Sequence, residues 1–297
     1  MILKVVLLFV IIINGLFAIT FIRDLIKNKG EFMKEDGNPI IIAISSFIIF
    51  VLSTFGISDF AVSTVFYRKM KFVNDKKLPG TLNTQCVLPV AAMALIYISS
   101  IDVEITTLLV CIIAQVIGAY IGPRFVVKMN VTSIKKFISV GLIIAAILIL
   151  MGKFGVYPSG GAEVGLTGWK LVMLGFLSLL FGAFNNVGIG SYALTMATVY
   201  ALGLNPAVAF PIMMGACTFS VPIGSMQFIK LDSYSRKITF FTSTFGVLGV
   251  IVAAYVVKSL NVSMLQWVVV IVLLYSAYNM ISEILKNKAI KELKESV

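Results

Sequence analysis

Phe55-Gly56-Ile57-Ser58-Asp59-Phe60-Ala61 and Val187-Gly188-Ile189-Gly190-Ser191-Tyr192-Ala193 lie 132 positions apart, each inside a long apolar stretch. Glycine lets a chain turn where other residues are strained, and a serine after the turn can cap a helix that starts there. Both stretches therefore read as helix, break, returning helix. Non-helical backbone at membrane depth survives only against protein or a wet cavity. Two such breaks, one per half of the chain, are the first places to look for a site.

The two halves match elsewhere at nearly the same offset. Leu88-Pro89-Val90 corresponds to Val221-Pro222-Ile223, and Val126-Val127-Lys128 to Val256-Val257-Lys258. Asn130-Val131-Thr132 follows in the first copy and Asn261-Val262-Ser263 in the second. Four matches in order at almost constant spacing indicate an internal repeat.

Composition settles the solvent. The 297 residues are 59% hydrophobic and 12% charged, with mean hydropathy +1.03. A soluble domain carries about 25% charged residues, so this chain cannot cover itself with polar groups and must sit in lipid. Its apolar stretches approach the ~20 residues that span a bilayer as helix. They run roughly over 3–22, 39–57, 81–99, 104–122, 137–152, 168–184, 206–228, 238–257 and 264–285, with shorter ones at 59–67 and 191–202. The first is long for a signal-peptide core and lacks a small-residue cleavage site, so it is expected to stay as a helix. Histidine is absent, which removes His-ligated metal, His-based nucleophilic catalysis and a histidine relay. Cys86, Cys111 and Cys217 each sit alone in apolar sequence and read as buried hydrophobes. No cofactor is expected. The net charge of +11 is spread over short loops, the pattern of orientation signals rather than of a nucleic-acid surface.

Loop charge orders the crossings. Lys and Arg number four in 23–38, five in 67–80, four in 123–136, three in 229–237 and four in 286–297. Loops 100–104 and 203–206 have none. If 39–67 enters and returns on one side, and 168–202 does so on the other, 20 of the 24 basic residues share one face. The positive-inside rule makes that face cytoplasmic. The expected fold is an all-α polytopic membrane protein of two inverted-topology repeats, each a re-entrant broken-helix pair plus three transmembrane helices, with one extra N-terminal helix. Its expected parts are 1–38 (helix and cytoplasmic loop), 39–152 (first repeat), 153–167 (extracytoplasmic linker), 168–285 (second repeat) and 286–297 (basic cytoplasmic tail). Inverted repeats with broken helices are the architecture of secondary transporters.

The candidate site follows from the breaks. Half-helix N-termini offer free N–H groups and a positive dipole end to an anion. Gly56, Ser58, Gly188, Gly190 and Ser191 are the expected backbone and hydroxyl donors, with Asn83, Gln85, Asn185 and Asn186 shaping the site. Thr81, Thr84, Cys217, Thr218, Ser220 and Gln227 add polar groups on the helices that follow. Small residues at these positions would equally serve helix packing. Asp59 is the only carboxylate deep within an apolar segment, and intramembrane acids are costly. It reads either as a coupling group for a proton or Na+, or as a cap of its own half-helix.

At these motifs, and at Gly118-Ala119-Tyr120-Ile121-Gly122-Pro123-Arg124 ending a span, the chain resembles the sulfite exporter TauE/SafE family, also called the 4-toluene sulfonate uptake permeases. The resemblance covers roughly 39–285. It implies a permease for a small anion such as sulfite, sulfoacetate or a sulfonate. The family's breaks are both glycine-rich, whereas the first one here has one glycine and an acid. Asp59 would repel a dianion unless protonated or paired with a cation.

The expected function is thus a secondary transporter, not an enzyme, that moves a small anion across a bacterial plasma membrane by alternating access, with the C-terminus cytoplasmic. Its partners are that anion, the bilayer and a coupling proton or Na+, and no nucleic acid. The alternative is a carrier of a cation or neutral solute that uses Asp59. Gly188-Ile189-Gly190-Ser191 resembles a Gly-x-Ser hydrolase loop, but no histidine exists to serve it. A channel would show rings of like charge, and a sensor would carry a soluble domain; neither is present in the sequence.

Overall fold

The computed structural model describes residues 2–55, 57–126, 128–156, 161–188 and 190–256, together with 267, 270–271, 274, 277–278, 281–282 and 284–285. Among these the chain is helical, in the order α1 (Ile2–Lys27), α2 (Pro39–Thr54), α3 (Asp59–Lys69), α4 (Leu78–Ser100), α5 (Ile105–Val126), α6 (Val131–Lys153), α7 (Gly168–Val187), α8 (Tyr192–Ala201), α9 (Ala209–Lys230), α10 (Arg236–Phe241) and α11 (Val247–Val256). A π turn, Thr242–Gly246, joins α10 to α11. Six segments are long and apolar enough to cross a membrane: Lys4–Lys27, Leu78–Ile98, Ile105–Gly122, Gly168–Asn186, Ala209–Lys230 and Arg236–Tyr255. The chain is a multi-pass membrane protein. Gly56, the 257–266 segment and the tail 286–297, all named above, lie outside the described residues.

Local chemistry explains the helix starts. Asn38 caps α2 through bonds from the Ile40 and Ile41 amides at 2.9 and 3.4 Å, with Pro39 preset for the first turn. Asn130 caps α6 by accepting from the Ser133 amide at 2.8 Å. That cap starts α6 six residues before the expected 137, so Lys135 and Lys136 belong to its first turns rather than to a loop.

Burial ranks the helices. The spans of α4 and α9 are 72% and 78% buried, whereas those of α1 and α7 are 28% buried. The proline-bearing helices α4 and α9 are therefore the central pair. Leu8, Phe9, Ile11 and Ile12 of α1, and Val172 and Phe176 of α7, point outward, where only a lipid solvent makes them inexpensive.

The halves pack reciprocally. At Gly118 on α5 an added Cβ would overlap the Leu179 carbonyl oxygen of α7; at Gly249 on α11 it would overlap the Phe47 carbonyl oxygen of α2. Gly118 and Gly249 are 131 positions apart, and Phe47 and Leu179 are 132 apart. The same exchange pairs Gly182 with the Gln115 backbone and Gly246 with the Phe50 ring. Such reciprocity, in which i meets j and its counterparts meet likewise, is what a two-fold relation produces. At Gly246 an added Cβ would meet the Phe50 ring at 2.6 Å and the Pro89 ring at 3.0 Å, and the π turn ends at this close approach. Nothing in the sequence pattern announced it.

Loops gather at two ends. At one end a Cβ at Gly37 would lie 3.0 Å from Phe72, Lys77 is 3.9 Å from Asp232, and Arg236 is 2.6 Å from Asp24. At the other, the Glu104 amide donates to Val164 at 2.9 Å, the Asn205 amide to Glu163 at 2.8 Å, and Lys170 to the Leu202 carbonyl at 3.1 Å. Thus α2 begins and α3 finishes at one end, while α7 begins and α8 finishes at the other.

Candidate functional site

The breaks are shorter than the sequence suggested. The sequence suggests breaks over Ser53–Asp59 and Phe184–Ser191; α2 runs to Thr54 and α7 to Val187, so that of the described residues 55, 57–58, 188 and 190–191 lie outside helix. Asn185 and Asn186 therefore sit in the last turn of α7, not in the break. Gly188 is the reason: its φ of 92° is a left-handed cap, and its amide bonds back to the Asn185 carbonyl at 3.1 Å.

The head of α3 is capped by Ser58, whose Oγ accepts from the Ala61 amide at 3.4 Å. At the head of α8 the Ser191 carbonyl accepts from the Thr195 amide at 2.8 Å, closing the first turn. A Cβ on Gly190 would overlap Ser58 Oγ and lie 3.1 Å from Phe60 Cβ. Ser58 and Gly190 are repeat counterparts, 132 positions apart. The two breaks touch each other at equivalent residues, and the heads of α3 and α8 meet there.

Polar side chains brace this junction. Asn185 Oδ1 accepts from the Ser191 amide at 3.0 Å, and the Asn185 carbonyl accepts from Asn83 Nδ2 at 3.0 Å. Ser191 Oγ pairs with Cys217 Sγ at 3.3 Å. Gln115 Nε2 reaches Cys217 Sγ at 3.3 Å and Ser220 Oγ at 3.2 Å. Asn83, Asn185, Ser191, Cys217 and Gln115 thus form one buried network across α4, α5, α7, α8 and α9.

Other predicted residues stand apart from it. Gln85 accepts from Tyr67 OH at 2.5 Å and donates to Ser63 at 2.9 Å, which pins α3 onto α4. Asn186 faces the α5–α9 side, donating to the carbonyls of Ala119 at 3.2 Å and Gly182 at 3.0 Å. Thr218 is engaged by Asn14 of α1 at 2.9 Å, and Thr81 and Thr84 by Ser235 and Thr239 at 2.9 and 2.7 Å. Gly56 is outside the described residues.

Asp59 opens α3 and is 1% exposed. Its carboxylate lies against the amides of Asp59 and Phe60 and the side chains of Cys86 and Ser53, yet Oδ2 has no hydrogen-bond partner. Ser53 Oγ and Tyr192 OH are buried with no close hydrogen bond either, Ser53 standing at the edge of hydrogen-bonding reach of both Asp59 and Tyr192. Among the described residues one other charged side chain is buried, Lys237. It is held at the bundle end by the carbonyls of Glu35 and Gly37 at 2.8 and 2.6 Å. Among the described residues, then, no buried basic side chain stands at the breaks.

Sequence reasoning passed over Ser53 and Tyr192. Tyr192 stands where the first repeat has Phe60, so the repeat itself marks its hydroxyl as an added polar atom. Ser53 lies three residues before Gly56 and carries no comparable signal.

A broken, capped helix pair opening the second half, followed by a proline-bearing central helix, is the feature that known families can be asked to match. Residues 171–296 match the family model of the sulfite exporter TauE/SafE. TauE/SafE is a family of membrane transporters for sulfite or related anions. The matched stretch holds the second break, α8, α9 and everything after them; the first break, with Asp59, lies outside it. Curated proteins give no match.

Proposed function

We propose that this chain is a secondary permease for a small anion, sulfite or an organosulfonate, that works by alternating access between two inverted repeats. The heads of α3 and α8, touching at Ser58 and Gly190, carry this reading. Each helix end carries a fractional positive charge. An anion at a partly buried helix end gains up to about 2 kcal/mol, and two opposed ends act together without a basic side chain. The hydroxyls of Ser58 and Ser191 and the backbone amide of Gly190 are the anion's donors; Gly188, whose amide is spent on the Asn185 carbonyl, shapes the turn instead. Asn83 and Asn185 set the width of the site by tying the second break to α4.

The reciprocal packing of the halves and the opposite ends at which α2–α3 and α7–α8 begin support the inverted arrangement. The basic loops 23–38, 67–80 and 229–237 meet at one end, which on the positive-inside rule is the cytoplasmic end. Every polar side chain at the junction is buried, as in an occluded state between the two open ones. Asp59 compensates charge during the cycle, because a buried carboxylate beside an anion must be neutralised.

Uptake of radiolabelled sulfite into proteoliposomes of the purified chain tests the proposal. Saturable flux, competed by sulfoacetate, is expected. Flux of a neutral solute or a cation with no sulfite transport under any ion gradient would overturn it.

A further inference from the structure

Three buried oxygens beside the first break lack partners: Ser53 Oγ at the end of α2, Asp59 Oδ2 at the start of α3, and Tyr192 OH at the start of α8. Ser53 lies between the other two. Buried polar atoms are nearly always bonded, so three orphans that adjoin one another call for a common ligand. The titratable groups facing Asp59 are Tyr67 on α3, Cys86 on α4, Tyr192 on α8 and Cys217 on α9. None is basic, so no side chain here neutralises the carboxylate.

We propose that Ser53 Oγ, Asp59 Oδ2 and Tyr192 OH bind a monovalent alkali cation, Na+, which is the coupling ion of the permease. Its role in transport rests on the reading above; the site itself does not. Hard cations take oxygen ligands. α2 ends at Thr54, one residue past Ser53, so the negative end of its dipole favours a cation at this spot. A single carboxylate matches one positive charge; a divalent ion would leave an excess buried. A proton on Asp59 would cancel its charge, but the hydroxyls of Ser53 and Tyr192, though within reach of the carboxyl and of each other, form no close hydrogen bond here. The first break thus sorts charge by helix end: the tail of α2 takes the cation and the heads of α3 and α8 take the anion. Tyr192 belongs to the second half and the other two ligands to the first, so an ion bound here holds the halves together.

Binding of radioactive 22Na+ to the full purified chain in detergent, in choline buffer without sulfite, tests this. Saturable binding of one ion per chain is expected, lost in Asp59→Asn and weakened at least about tenfold in Ser53→Ala and in Tyr192→Phe, by comparison with the 10–100-fold typical even of outer-shell changes at metal sites. Gly15→Ala on α1, whose added Cβ meets nothing within 4 Å, should retain it. If Asp59→Asn does not fold, the two milder variants decide. No saturable 22Na+ binding to monodisperse wild type from mildly acidic to mildly alkaline pH would overturn the site, as would binding unchanged in all three variants. Sulfite flux driven by a pH gradient without 22Na+ binding would sink the cation site and spare the permease. Bound 22Na+ without any sulfite flux would do the reverse.

Discussion

At Gly190 a single methyl group decides whether the two halves can touch, because a Cβ there would overlap Ser58 Oγ, the cap of α3. Gly190→Ala must either push the breaks apart or displace that cap. We expect sulfite flux to fall at least about tenfold, since an ångström of misplacement at a binding site can cost about 100-fold, while the protein still purifies as a monodisperse species. Gly15→Ala is the matched control, because nothing lies within 4 Å of the Cβ it adds; its flux should be unchanged. Flux assays on the two variants, normalised to reconstituted protein, check both. Residue type made Gly190, Ser58 and Ser191 legible as parts of a break. It could not separate Asn185, which braces the break, from Asn186, which turns to α5, because adjacent helical residues point about 100° apart and the boundary at Gly188 decides which is which.

Among the elements, α10 shows how the extra N-terminal helix is attached. The Glu35 carboxylate, in the loop after α1, accepts from Ser235 Oγ at 2.6 Å and from the amides of Arg236 and Lys237 at 3.2 and 3.1 Å. A carboxylate thereby sits on a helix N-terminus, its favourable place, and ties α1 to the second repeat. Glu35→Ala should destabilise the protein by about 1–2 kcal/mol, the usual range for a lost cap. Thermal unfolding in detergent, beside the exposed neighbour Asp36→Ala as an unchanged control, would show it. Most elements were readable from apolar length, glycine and capping residues, and the α2–α3 and α7–α8 breaks fell within a few residues of their expected places. The early start of α6 at Asn130 was hidden because Lys135 and Lys136 read as loop charge. The π turn was hidden because it lies where Phe50 and Pro89 close on Gly246, neighbours that only packing brings there.

For the whole molecule, the topology drawn from loop charge makes a direct prediction. Cysteines introduced at Glu31 and Lys76 should be labelled by an impermeant reagent from the cytoplasmic side only, and those at Asp102 and Glu163 from the opposite side only. All four positions are exposed, and the native Cys86, Cys111 and Cys217 are buried and should stay silent. Labelling of Glu31→Cys and Lys76→Cys from opposite sides would mean that α2 and α3 cross rather than return. The proposed two-fold relation starts from weak sequence matches at near-constant offset and draws support from paired contacts such as Gly118 with Leu179 and Gly249 with Phe47. The partnerless trio of Ser53, Asp59 and Tyr192 was not visible, since it joins residues of both halves that only the folded junction assembles. The central claim is that an anion binds between the heads of α3 and α8, and selenite tests it by its likeness to sulfite and its strong anomalous scattering. An anomalous peak in crystals of the selenite complex is predicted between Ser58 and Ser191, against the backbone of Gly190. Full-occupancy selenite elsewhere in the bundle, with none at that junction, would contradict it.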